Sequence, residues 1–272
     1  MRIRNRCWYA TRLAKAILVA NLIAILSPLL HAQENSMTKP TVVLVHGAFA
    51  ESSSWNRVTT KLLAEGYTVV AVANPLRSVK GDASYVGSLL DAIPGPVILV
   101  GHSYGGTVIT VAATGKKNVK ALVYVSGLAP DAGETASGLV GKFPGSTLGP
   151  TLAAPVVLAD GSKDLYILQE HFHAQFAADL PASEAKLMAT TQRPIPEGAF
   201  NEPAGEPAWK SIPSWFLYGS LDKNVPPAVH AFMAKRAGAK ETVEIKGASH
   251  VVMMSHPEAL IKLIDDAVAQ TR

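Results

Sequence analysis

Acidic residues are missing from the first 32 positions, cysteine occurs once, and no apolar run reaches the length of a membrane span. Each shortage excludes something. The single cysteine, Cys7, falls inside the acid-free leader, so the remainder offers no disulfide, no lipoprotein attachment and no thiolate chemistry. The longest apolar run, residues 16–30, is 15 residues long, against roughly 20 for a bilayer-spanning helix. It follows Arg2, Arg4, Arg6, Arg12 and Lys15 and precedes Leu30-His31-Ala32, which is how a secretory signal reads. The expected division is a signal peptide at 1–32 and one domain at 33–272, periplasmic or secreted, with no stable membrane insertion once the signal is removed. An uncleaved anchor, or a cytoplasmic product starting at Met37, are the alternatives. No Arg-Arg pair is present for twin-arginine export.

The shortage of acid in the leader also explains the basic balance of the chain. The formal net charge is +4, from 25 Lys plus Arg against 21 Asp plus Glu. Removing the five leader cations leaves 20 against 21, so nucleic-acid binding loses its electrostatic support. Internal repeats and low-complexity tracts are absent. About 240 residues suffice for one domain with a full core.

From Thr41 onward, short apolar runs alternate with helical stretches, the pattern of βαβ units and a mostly parallel sheet with helices on both faces. About six strands are expected, at 41–45, 67–71, 97–100, 119–125, 214–218 and 242–245. Helices are expected around 55–65, 85–93, 105–113, 226–237 and 257–269. The alternation fails between Gly127 and Ile212, a stretch too long for a simple loop. It reads as a cap inserted at about 128–212, with helical patterns at 165–178 and 182–191.

The strand at 97–100 runs directly into Gly101-His102-Ser103-Tyr104-Gly105, a G-x-S-x-G elbow. Glycines at both ends permit a turn too sharp for side chains, leaving Ser103 exposed over a helix N-terminus. Unpaired N–H groups and the helix dipole favour negative charge there, and the Tyr104 N–H is placed to donate to an oxyanion. One conflict is visible: Thr107-Val108-Ile109-Thr110-Val111 is β-branched and a poor helix former, so burial has to override propensity.

Other chemistry belongs beyond the carboxyl ends of the strands. His46-Gly47-Ala48-Phe49 follows the first strand, and Ala48, ahead of Phe49, supplies the second oxyanion N–H. Asp222 ends the strand at 214–218, in the place of a triad acid, with Asp131 as runner-up. His250 follows the last strand and is the best base. His256 reads as a helix-entry residue and His230 lies inside a helix. Phe49, Phe143, Tyr166, Phe172, Phe176 and Trp209 are candidates to line a substrate cleft, although aromatics at helical spacing are more often core. Gln192 and Arg193 read as a polar anchor or a solvated helix end. His171 and His173 lie two apart on a helix with no companion acid or Cys, so no metal is expected.

The order Ser103, Asp222, His250 is that of α/β-hydrolases. The chain resembles that superfamily, and within it the plant-type esterases and hydroxynitrile lyases, through His46-Gly47-Ala48, the elbow, Ser126-Gly127-Leu128-Ala129-Pro130-Asp131, the Asp222 loop and Ser249-His250-Val251-Val252-Met253-Met254. The resemblance implies a serine hydrolase of small-molecule carboxylic esters, working through an acyl-enzyme and needing no cofactor. The alternatives are a lyase using the same triad, or a binding protein that has lost turnover. In the lyases it resembles, a Lys follows the triad His and a Thr follows the His of the His-Gly turn. Val251 and Gly47 hold those places here, as in the esterase branch.

Overall fold

The computed structural model describes residues 39–271, and the expected signal peptide lies outside them. Its strands are β1 (Thr41–Val45), β2 (Thr68–Val72), β3 (Val97–His102), β4 (Val119–Val125), β5 (Val156–Val157), β6 (Lys163–Leu165), β7 (Ile195–Pro196), β8 (Ser214–Gly219) and β9 (Glu241–Ile245). The main sheet runs β2-β1-β3-β4-β8-β9, and every pair in it is parallel. Residue type accounts for each strand's place. β3 and β8 are buried along their whole length, because continuous apolar runs suit strands covered on both faces. β9 alternates half-buried and exposed residues, and β2 is buried only at Val72. Both are edges.

Parallel register brings the carboxyl ends of neighbouring strands level, with Val45 opposite Gly101, His102 opposite Val125 and Gly219 opposite Ile245. The chain leaves β1 for the β2 edge, then returns to the far side of β1 to form β3. Loops after β1 and β3 therefore diverge to opposite sides of the sheet, opening the crevice where ligands of such sheets bind. His46-Gly47-Ala48 and Ser103 are on those two loops.

The helix after β3, Tyr104–Ala112, forms despite its β-branched centre, and all its residues except Val111 are buried. Burial outweighs a propensity cost of a few tenths of a kcal/mol per residue, at roughly 25 cal/mol per Å² of apolar surface removed from water. The helix expected at 85–93 begins earlier, at Val79. Gly81 and Gly87 weaken the helical pattern there in the sequence, and Gly81 takes part in the cap. Its N–H donates to the Ser78 hydroxyl, and a Cβ there would lie 2.6 Å from that oxygen.

Residues between β4 and β8 carry helices Ala136–Val140, Gln169–Phe176, Ala182–Thr191 and Glu197–Asn201, together with an antiparallel sheet β5-β6-β7. The expected helix at 165–178 is corrected to Gln169–Phe176. Leu165 instead ends β6, opposite Ile195. An apolar run of four residues, 165–168, is too short for periodicity to choose helix or strand, and the partner strand decides. Among the described residues, no helix is long and apolar enough to cross a membrane.

Candidate active site

Ser103 sits at φ +53°, ψ −124°, a left-handed conformation that costs a non-glycine residue energy and persists only when its surroundings hold it. The hold is visible. A Cβ on Gly101 would come within 2.6 Å of the Gly105 carbonyl oxygen, and one on Gly105 within 2.3 Å of the Val45 oxygen. The elbow is thus pressed against its own helix and against the end of β1. Ser103 N–H donates to Val125 O at 3.2 Å, and its carbonyl accepts from Gly106 and Leu128 N–H. The residue is 9% exposed rather than open at the turn as expected. Residues of the β4–β8 segment, including Val140, Leu148 and Phe176, close over it.

Asp222 follows β8, packed where the chain passes the His250 loop so tightly that a Cβ on Gly219 would meet the Ala248 oxygen at 2.3 Å. Its Oδ1 accepts from the N–H groups of Asn224 and Val225, at 2.9 and 3.0 Å. Its Oδ2 accepts from His250 Nδ1 at 2.7 Å and from His230 Nε2 at 3.3 Å. Burial works against the charged carboxylate, but the two imidazoles and their hydrogen bonds outweigh it and hold Asp222 well below the usual carboxylate range. His250 Nε2 is buried without a hydrogen-bond partner among the described residues.

Ser103, His250, Ala48, Phe49 and Tyr104 line one small cavity of about 20 Å³, room for a single water molecule. Among the described residues neither Ala48 N–H nor Tyr104 N–H takes part in the backbone hydrogen bonds, whereas Phe49 N–H donates to Arg193 O at 2.8 Å. Gly47 is confined by the same geometry, since a Cβ would lie 2.7 Å from Ser103 Cβ and 2.9 Å from Tyr104 N. His46 supports the turn from behind. Its Nδ1 donates to Gly47 O and its Nε2 accepts from Asn74 N–H, and burial pushes its pKa down to about 4.

A buried acid, an imidazole fixed by it, a strained serine and two free N–H groups thus converge at the carboxyl ends of parallel strands. A match to the alpha/beta hydrolase family spans residues 42–263. The chain belongs to that family. Among its relatives, norfluorocurarine synthase 2 of Strychnos sp is 27% identical over 85% of this chain and 96% of that protein. The alpha-hydroxynitrile lyase of Arabidopsis thaliana is 26% identical over 80% of this chain and 93% of its own. Among solved structures, polyneuridine aldehyde esterase is similar with a TM-score of 0.73 at 20% identity, over 84% of this chain and 99% of that one.

Within this alpha/beta hydrolase the other sequence candidates disperse. Phe143 packs on Phe232 at 5.8 Å between ring centroids, and Trp209 donates its indole N–H to Pro130 O beside Arg236. Neither residue, nor Tyr166, lines the Ser103 cavity. Aromatics between β4 and β8 looked alike in sequence, and only packing separates Phe176 at the cavity from these three. Asp131 is paired with Lys210 at 2.8 Å. His173 Nε2 donates to Leu180 O, and no group of three potential metal ligands occurs among the described residues. Gln192 binds backbone groups of Ile167 and Ala189.

Sequence reasoning missed His230, which reads as an ordinary helical residue until the helix Pro227–Arg236 brings it onto Asp222 and stacks it on Tyr218. It also missed Gln175, whose side chain takes a hydrogen bond from Thr147 and donates to Lys223 O and Asn224. Nothing in their local sequence marks either one.

Proposed function

We propose that this protein hydrolyses small-molecule carboxylic esters, with Ser103 as nucleophile, His250 as base and Asp222 as the acid that orients it. The observation that carries this reading is His250. Its Nδ1 is held by Asp222 at 2.7 Å while its Nε2 stays unpaired beside the cavity that Ser103 lines. Ser103 Oγ attacks the ester carbonyl as Nε2 takes its proton, and the carbonyl oxygen becomes an oxyanion held by the N–H groups of Ala48 and Tyr104. The C–O bond to the alcohol breaks, the alcohol leaves with the proton from Nε2, and Ser103 is acylated. Water, deprotonated by the same imidazole, then releases the carboxylic acid and restores the serine.

Esterase chemistry is favoured over cyanohydrin cleavage by two positions. Val251, fully buried beside His250, offers no cation for an expelled cyanide, and an unpaired anion is costly in a closed apolar site. Gly47 places no side chain against the oxyanion donors.

The test is turnover of p-nitrophenyl acetate. Ser103→Ala abolishes it, and Asp222→Asn and His250→Ala lower kcat by about 10⁴ or more. A serine-directed phosphonate adds one phosphonyl mass at Ser103, and mandelonitrile yields no cyanide. Ser103-dependent cyanide release with no turnover of any ester overturns the proposal. A protein that neither reacts with phosphonate nor turns over either substrate is a binder.

A further inference from the structure

Space for one water beside Ser103 is too little for an ester, so some part of the wall moves when substrate binds. Phe49 is the part that has somewhere to go. On one side it lines the Ser103 cavity, and on the other an open groove of about 390 Å³ between the segment after β1 and the helix Ala182–Thr191. Its ring meets Phe176 edge-on at 6.2 Å, and it sits at φ +59°.

The groove is apolar where it is deep and carries charge at its edge. Met188 and Met254 join Phe49 in its lining, and Leu187 stands 64% exposed there, an apolar side chain with no packing role in the core. The charged lining groups are Arg57, Glu51 and Glu184. Arg57 is already engaged by Glu184 at 2.7 Å and by Met254 O, and Glu51 accepts from Ser53. Among these three lining groups no cation is left free for a carboxylate, and their net charge is −1.

We propose that this groove is the subsite for the larger, uncharged apolar half of an ester, joined to Ser103 when the Phe49 ring swings aside. The proposal rests on the ester-hydrolase reading above. It assigns the substrate class as neutral esters with one extended apolar group, and it excludes esters carrying a carboxylate at the far end of that group, whose charge meets Glu51 and Glu184 unpaired.

Initial rates on ethyl acetate, ethyl octanoate, octyl acetate and monoethyl octanedioate, followed by pH-stat, test it. The wild-type protein prefers at least one of the two neutral long esters to ethyl acetate by about tenfold or more in kcat/KM, as the burial of a few methylenes provides. The dicarboxylic monoester does not share that preference. Leu187→Glu and Met188→Glu reduce the long-to-short ratio by about tenfold, and Phe49→Ala raises it. A ratio changes only if the variant acts on the extended half of the substrate, so partial misfolding leaves it untouched. Leu187 is exposed, so that variant folds. A ratio unchanged in both glutamate variants overturns the subsite, and a fall in Phe49→Ala overturns the partition. Absence of turnover on all four esters, with no phosphonate on Ser103, overturns the hydrolase reading and the subsite together.

Discussion

Asp222 accepts four hydrogen bonds, two from backbone N–H groups on Oδ1 and two from imidazoles on Oδ2. The two imidazoles have different work. His250, whose other nitrogen is unpaired among the described residues, lines the Ser103 cavity, while His230 lies stacked on Tyr218 at 4.9 Å and lines no part of that cavity. On the proposed mechanism, His230 acts only through the carboxylate, fixing Oδ2 in the direction of His250. A hydrogen bond to a charged group contributes about 1.5–3 kcal/mol. If part of that is needed to hold the imidazole in place, His230→Phe, which keeps a ring against Tyr218, lowers kcat by about tenfold with little change in KM. His230→Gln, which retains a donor, recovers much of the loss. Active-site titration with a phosphonate separates a slower site from a smaller folded fraction. Equal kcat in both variants and the wild type removes His230 from the positioning of Asp222.

At the scale of elements, the elbow is where three pieces of backbone approach more closely than side chains allow. Helix Tyr104–Ala112, β1 and the loop after β4 meet at Gly105 and Gly106, where a Cβ would come within 2.3 Å of Val45 O and 2.5 Å of Leu128 O respectively. The obstacles are backbone atoms of central strands and their loops, which cannot rotate away as a side chain does. Gly105→Ala is expected to cost more than the roughly 1 kcal/mol of an average substitution, and to lower activity as well by displacing Ser103 and Tyr104 N–H. A urea midpoint and a phosphonylation rate check the two effects, and a variant that retains both refutes this account of the elbow. At Gly81, in contrast, the near atom is the Ser78 hydroxyl, a side-chain end that can turn aside. It is part of a helix cap and not of the site.

At the scale of the whole molecule, the segment between β4 and β8 is fastened to the loops that carry Asp222 and His250. Gln175 and Asn224 exchange hydrogen bonds across to the acid loop, and Ser249, next to His250, donates to Asp179. Stability and the site therefore share residues, and acid acts on both. His46, held down to about 4, and His102, pushed well below its ordinary value by burial and by the neighbouring His250, are neutral in the folded state. The unfolded chain takes up protons on these groups below about pH 6.5. Stability is thus full above that value and falls as pH drops towards 4, by about 3 kcal/mol for His46 alone. Asp222 acts in the same direction in a lower window, its depressed carboxyl contributing stability that is lost only below the ordinary carboxylate range, about pH 4. Denaturant midpoints measured between pH 7.5 and 4.5 are expected to fall, and His46→Gln to flatten part of the slope. A midpoint constant across that range contradicts neutral burial of the two histidines.

The residue order by itself determined the parallel sheet, the elbow and the chain order of Ser103, Asp222 and His250, because each rests on local chemistry. Apolar runs write the buried strands, glycines write the sharp turn, and strand ends write the loops. Register along the chain then decides which loops share one end of the sheet. The tertiary structure alone decided what depends on packing between distant segments. Burial made a helix of Thr107–Val111, and pairing with Ile195 made Leu165 the end of a strand. The same packing separated Phe176 from Phe143, Tyr166 and Trp209, and brought a helical histidine, eight residues beyond Asp222, onto its carboxylate. Such contacts arise from where side chains meet across the fold, and no periodicity along the chain encodes them.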